Sequence, residues 1–142
     1  MSAAPSPAHF ALAIARSRFI DAHAQVEAAL IARLRALKLT VHPLGGQNMD
    51  ELAKAKPAPQ YSKKSKASVD KAIGQLRTLQ ECRNDIVHAQ MKIAVLDGAQ
   101  FACFINPQRT ANDHARPLFV DETGLNAMAS ELARIADDIA SA

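Results

Sequence analysis

Apolar positions recur at helical spacing over much of the chain. From about residue 7 to 39, Leu12, Phe19, Val26, Leu30, Leu34 and Leu37 fall on one stripe in steps of three, four and seven, as in an amphipathic helix. His42-Pro43 and Gly45-Gly46 end it and open a connector that runs to about Ser62. The connector holds Pro57 and Pro59 and has room for one short helix around 50–56. A second long helix, about 65–90, is predicted from Val69, Ala72, Ile73, Leu76, Leu79, Ile86 and Val87, with Ser65 or Ser68 as its cap. The period then changes. Residues 91–96 and 99–106 read as two strands around Asp97-Gly98, a strong hairpin signal. Phe101, Cys103 and Ile105 would share one face and Phe104 the other. Residues 107–117 read as a polar loop. Asp121 or Thr123 would cap a last helix, about 124–140, whose seam is Leu125, Met128, Leu132, Ile135 and Ile139.

This pattern predicts a mainly α, antiparallel helical bundle with one small β-hairpin. Residues 1–7, with Pro5 and Pro7, read as a flexible tail, and 8–142 as one domain. Composition agrees: 49% hydrophobic residues suffice for one core, and the low aromatic content, 4%, suits helices better than a sandwich. The net charge of +3 permits an anionic partner without requiring one. The densest basic cluster, Lys63, Lys64 and Lys66, reads as a solvated loop. Cys82 and Cys103 form no C-x-x-C pair and read as small core residues of a reducing compartment. No segment approaches the ~20 apolar residues of a membrane span. The first residues carry no basic start or apolar stretch, so the expected location is the cytoplasm.

One group of polar residues stands out. On a helical wheel of the second helix, at about 100° per residue, Arg83 falls in the middle of the apolar stripe, in line with Leu76 and Val87. A cation there needs an acceptor. Asn84 and His88, four apart, stack on one flank, and Asp85 points to the opposite, solvent side. The grouping suits phosphate chemistry: a guanidinium fork for phosphate oxygens, an imidazole that exchanges protons near neutral pH, and an amide to orient either. A structural reading accounts for the same residues. Arg83 then snorkels or bridges to a carboxylate such as Glu27, and His88 closes the helix end. No carboxylate pair, Gly-rich phosphate loop, nucleophile elbow or metal cluster competes elsewhere, and neither cofactor nor metal is expected.

The run Glu81-Cys82-Arg83-Asn84-Asp85-Ile86-Val87-His88-Ala89 resembles the R-x4-6-H signature of HEPN domains, in which a polar residue, often Asn, follows the Arg. The order of a long helix, a connector, a motif helix, a hairpin and a C-terminal amphipathic helix resembles small bacterial HEPN-like proteins. The resemblance implies a HEPN-type bundle. Many of its members are metal-independent endoribonucleases, often toxins or defence proteins, that form homodimers with a composite cleft. Carried onto this chain, His88 would assist attack of a ribose 2′-hydroxyl on the adjacent phosphate. Arg83 would stabilise the transition-state charge, and Asn84 would position the group. RNA and an antitoxin or regulatory protein are the implied partners. Other members are catalytically silent and bind nucleotide, RNA or a protein.

Four further residues enter as weaker candidates. His23, inside the first helix's stripe with Glu27 four residues on, reads as a satisfied core histidine or as support beside Arg83. Arg109 and Arg116, which follow the hairpin, read as ordinary surface charge or as the lining of an RNA groove. His9, His42 and His114 fall in predicted loops and suggest nothing specific.

Overall fold

In a computed structural model, which describes residues 6–107 and 116–142, the chain runs α1 (Pro7–Ala36), α2 (Gly45–Lys54), α3 (Lys63–Thr78), α4 (Gln80–His88), β1 (Gln90–Leu96), β2 (Ala99–Ile105), β3 (Leu118–Val120) and α5 (Glu122–Ser141). It is mainly helical, with a small antiparallel sheet in the order β1-β2-β3. Contacts divide the described residues into two compact units, one drawn from Met1–Asp21 and Gln80–Ser130, the other from Ala22–Leu79 and Glu131–Ala142. Each takes one part of α1 and one part of α5. No helix among the described residues is long and apolar enough to cross a membrane.

In the first unit, Ser6 and Pro7 open α1. The Ser6 hydroxyl accepts from the backbone N–H of His9, and proline suits a first turn whose N–H groups have no helical partner. Leu12, Ala15 and Phe19 are buried. His9 therefore belongs to the first turn of α1 and not to a loop. The hairpin turns where Asp97-Gly98 demands it. Both residues have positive φ, 50° and 78°, as a primed two-residue turn requires. Lys92 faces Cys103 and Ile93 faces Ala102 across the strands. Ala102 and Phe104 are buried, while Cys103 and Ile105 on the opposite face are half-buried and exposed. The third strand, Leu118–Val120, lies next to the span the sequence gave to loop. It pairs with Ala102–Phe104 through only three residues, too few for an alternating pattern to register. The Asp121 carboxylate then accepts from Gly124 N–H at 2.7 Å, which settles Asp121 over Thr123 as the cap of α5. Gly124 is needed there: a Cβ would lie 2.8 Å from Val120 Cγ2.

The second unit is all helical apart from a tight bridge between Ala58 and Tyr61. Val26, Leu30 and Leu34 of α1 are buried, as are Val69, Ala72, Ile73 and Leu76 of α3 and Leu132, Ile135 and Ile139 of α5. Four boundaries differ from the sequence reading. α1 ends at Ala36, well before His42-Pro43, because Lys38 turns left-handed (φ 58°). Leu39 N–H then bonds Leu34 carbonyl and Lys38 N–H bonds Arg35 carbonyl, a Schellman closure with Lys at the position that favours glycine. α2 begins at Gly45, so the two glycines form a first turn and not a break. That turn has no helical N–H bonds to lose. The buried Asn48 amide fixes the entry by accepting from His42 N–H and donating to His42 carbonyl. α3 is capped by Ser62, whose hydroxyl accepts from Ser65 N–H at 3.0 Å, in place of Ser65 or Ser68. This puts Lys63, Lys64 and Lys66 in a helical first turn, with Lys66 held by Ala53 carbonyl and Asp70. Finally, the single helix expected over 65–90 is interrupted at Leu79, whose N–H bonds Leu76 carbonyl three residues back.

Candidate functional site

The interruption at Leu79 changes the argument from the wheel. A phase carried from Val69–Leu76 does not extend to residues 80–88, because the helix ends between them. Within α4, Arg83 and Asn84 are half-buried and His88 is exposed. Asp85, placed on the solvent side by the continuous wheel, is instead 6% exposed. Its carboxylate accepts from Asn106 Nδ2 at 3.3 Å, and the same amide reaches the Asn84 carbonyl at 3.4 Å. Asn106 follows β2 directly and is itself 4% exposed. A buried carboxylate needs such donors. The pair thus ties the middle of α4 to the end of the hairpin.

Arg83 finds an acceptor in its own neighbour: Nη1 donates to Asn84 Oδ1 at 3.1 Å. The guanidinium and the amide are therefore one unit. His88, one turn past Asn84 at the C-terminal end of α4, makes no hydrogen bond to a described group. The result is a fixed cation and amide beside an uncommitted imidazole. Such a set can bind a phosphodiester and exchange a proton next to it.

The end of α4 is held by a residue that sequence reasoning missed. Arg16 of α1 donates through Nε and Nη2 to Ile86 carbonyl at 3.0 and 2.7 Å, and through Nη2 to Ala89 carbonyl at 2.7 Å. Its guanidinium also lies 5.4 Å from the Phe104 ring centroid. Burial lowers its pKa from the ordinary arginine value. A signal for this role exists in the sequence. No glycine or asparagine follows His88, so the last carbonyls of the motif helix need a donor from elsewhere in the chain.

The weaker candidates fare differently. His23 is buried in the second unit, with Nδ1 3.7 Å from Glu27 Oε1. Glu27 also borders the start of α2, where a Cβ on Gly45 would meet its Oε1 at 3.2 Å. That placement sets a carboxylate at the positive end of a helix dipole, a structural employment for both residues. Arg116 is exposed just before β3. Arg109 and His114 lie outside the described residues. His42 bonds Glu51 at 3.3 Å. Among the described residues no three His, Cys, Asp or Glu side chains come together as a metal site. Comparison with known proteins identifies no relative: no family model matches the chain, and no curated protein or solved structure is similar to it.

Proposed function

We propose that the chain is a HEPN-like endoribonuclease that cleaves RNA without a metal ion, with Arg83, Asn84 and His88 as its working residues. The observation that carries this reading is the hydrogen-bonded Arg83–Asn84 pair one turn from an exposed and uncommitted His88. In the proposed reaction the ribose 2′-oxygen attacks the adjacent phosphorus and the bond to the 5′-oxygen breaks. The products are a 2′,3′-cyclic phosphate and a 5′-hydroxyl. His88 takes the 2′-proton and gives it up to the departing 5′-oxygen, Arg83 offsets the charge that builds on the phosphoryl oxygens, and Asn84 holds Arg83 in place. A homodimer with a composite cleft completes the proposal. The large apolar side chains Phe10 and Ile14, 56% and 53% exposed on α1, favour such an association.

The test is incubation of purified wild type and variants with mixed RNA in excess EDTA, followed by mapping of the ends. Cyclic phosphate ends with wild type, and their loss in His88→Ala, are the expected results. Arg83→Lys restores little, because a point charge does not reproduce the planar fork. Absence of cleavage with every RNA transfers the reading to a silent module that binds nucleotide, RNA or a protein. Light scattering tests the dimer, with about twice 15.3 kDa expected.

A further inference from the structure

Beside Arg16 lies an open cavity of about 330 Å³. Its polar walls are His9, Arg16 and Ser17 from the start of α1 and Gln90 from the start of β1. Ile20 and Met91 supply apolar surface, and no carboxylate lines it. Arg16 is rigid here. Three hydrogen bonds through Nε and Nη2 fix it to α4, and its Cζ lies over the Phe104 ring, 5.4 Å from the centroid. That leaves Nη1 with no acceptor among the described residues. A guanidinium held on one edge and open on the other is a preorganised donor for a phosphate oxygen. The Ser17 hydroxyl, the Gln90 amide and the His9 imidazole add donors, and the volume suits a small ligand.

We propose that this cavity is a nucleotide subsite, taking one phosphate of a bound RNA strand on Arg16 and its nucleoside against Ile20 and Met91. The cavity adjoins the end of the motif helix. Arg16 grips the carbonyls of Ile86 and Ala89 on either side of His88, and Gln90 and Met91 follow directly. The identity of the ligand as RNA rests on the reading given above; the phosphate and its contacts rest on the cavity alone.

The test uses the full chain labelled with ¹⁵N and titrated with 5′-AMP, with adenosine, and with a 2′-O-methyl RNA dinucleotide that cannot be cleaved. Backbone signals of Ala13, Ser17, Gln90 and Met91 shift with 5′-AMP and with the dinucleotide, and adenosine binds roughly tenfold more weakly or worse. Ser17→Glu, an exposed helical position, sets a carboxylate in the cavity and weakens both phosphate ligands by roughly tenfold or more, while signals of the free protein away from residue 17 stay where they are in wild type. Equal binding of adenosine, shifts confined to other residues, or an unaffected Ser17→Glu variant overturns the proposal. Binding of 5′-AMP without the dinucleotide overturns its place on a strand. If the ligands bind here and RNA is never cleaved, the cleavage reading fails and the subsite stands. If RNA is cleaved and Ser17→Glu leaves KM unchanged, the subsite fails and the cleavage reading stands.

Discussion

Two arginines on α1, seventeen residues apart in sequence, perform one task in the two units. Arg16 forks the last carbonyls of α4 and lies 5.4 Å from the centroid of Phe104. Arg33 forks the carbonyls of Ile139, Ala140 and Ala142 at the end of α5 and lies 5.9 Å from the centroid of Tyr61. Both close a helix that has no glycine cap, and both rings are fully buried. Their surroundings differ. Arg16 borders an open polar cavity and an exposed histidine, whereas the helix that Arg33 closes presents Ile135 and Ile139 to a sealed core. The same device faces a sealed core in one unit and stands beside an open cavity and an exposed imidazole in the other. An arginine at a helix end is therefore weak evidence for function until its neighbours are known.

The comparison can be broken most sharply at the motif. His88→Ala is expected to lower RNA cleavage by ~10²–10⁴ in rate, the usual worth of one positioned proton-transfer group, with an unchanged circular dichroism spectrum. Next come the arginines. Arg16→Met and Arg33→Met should each cost about 1.5–3 kcal/mol in urea unfolding, since each removes charge-assisted bonds to helix-end carbonyls. Only Arg16→Met should also weaken RNA binding; equal loss in both would erase the distinction between the units. Asn106→Ala strips a donor from the buried Asp85 and should destabilise by about 1–3 kcal/mol while lowering cleavage through displacement of α4. Lys38→Gly acts in the other direction. It relieves a left-handed lysine in the second unit and should raise stability by about 1 kcal/mol, with cleavage untouched.

The smallest effect concerns pH and the surface of α5. The hydrogen bond from Arg134 holds the Glu131 carboxyl below its usual range. A depressed folded-state pKa contributes stability that is present above the unfolded value and is lost as pH falls through the folded one. Melting of wild type and Arg134→Ala should therefore differ slightly at neutral pH and converge in acid. Because both groups are exposed, added salt should shrink the difference as well.

Much of this was written in local pattern. The Asp97-Gly98 turn announced the hairpin because few residues tolerate its two positive φ angles. The stripes of α1 and α5 announced themselves through repeated burial, although Leu37 and Met128 are only half-buried. What stayed hidden depends on distant partners. Nothing near Leu79 signals an interruption: the apolar spacing continues across it, and no proline or glycine marks it. Asp85 looks like surface charge until Asn106, twenty-one residues on, supplies its donor. The candidate triad was legible from its spacing, but its supports, Asn106 and Arg16, were not, because both act across the chain and not along it.

The short length of α4 has a consequence for the order in which the protein becomes itself. Nine residues make too short a helix to persist alone in water. Its far end is fixed by Arg16, seventy residues earlier, and its middle by Asn106. A polypeptide growing from its N-terminus adds Arg83 and His88 before Asn106. During synthesis, then, the residues of the motif exist for a time without their arrangement. They are brought into register only when the hairpin closes.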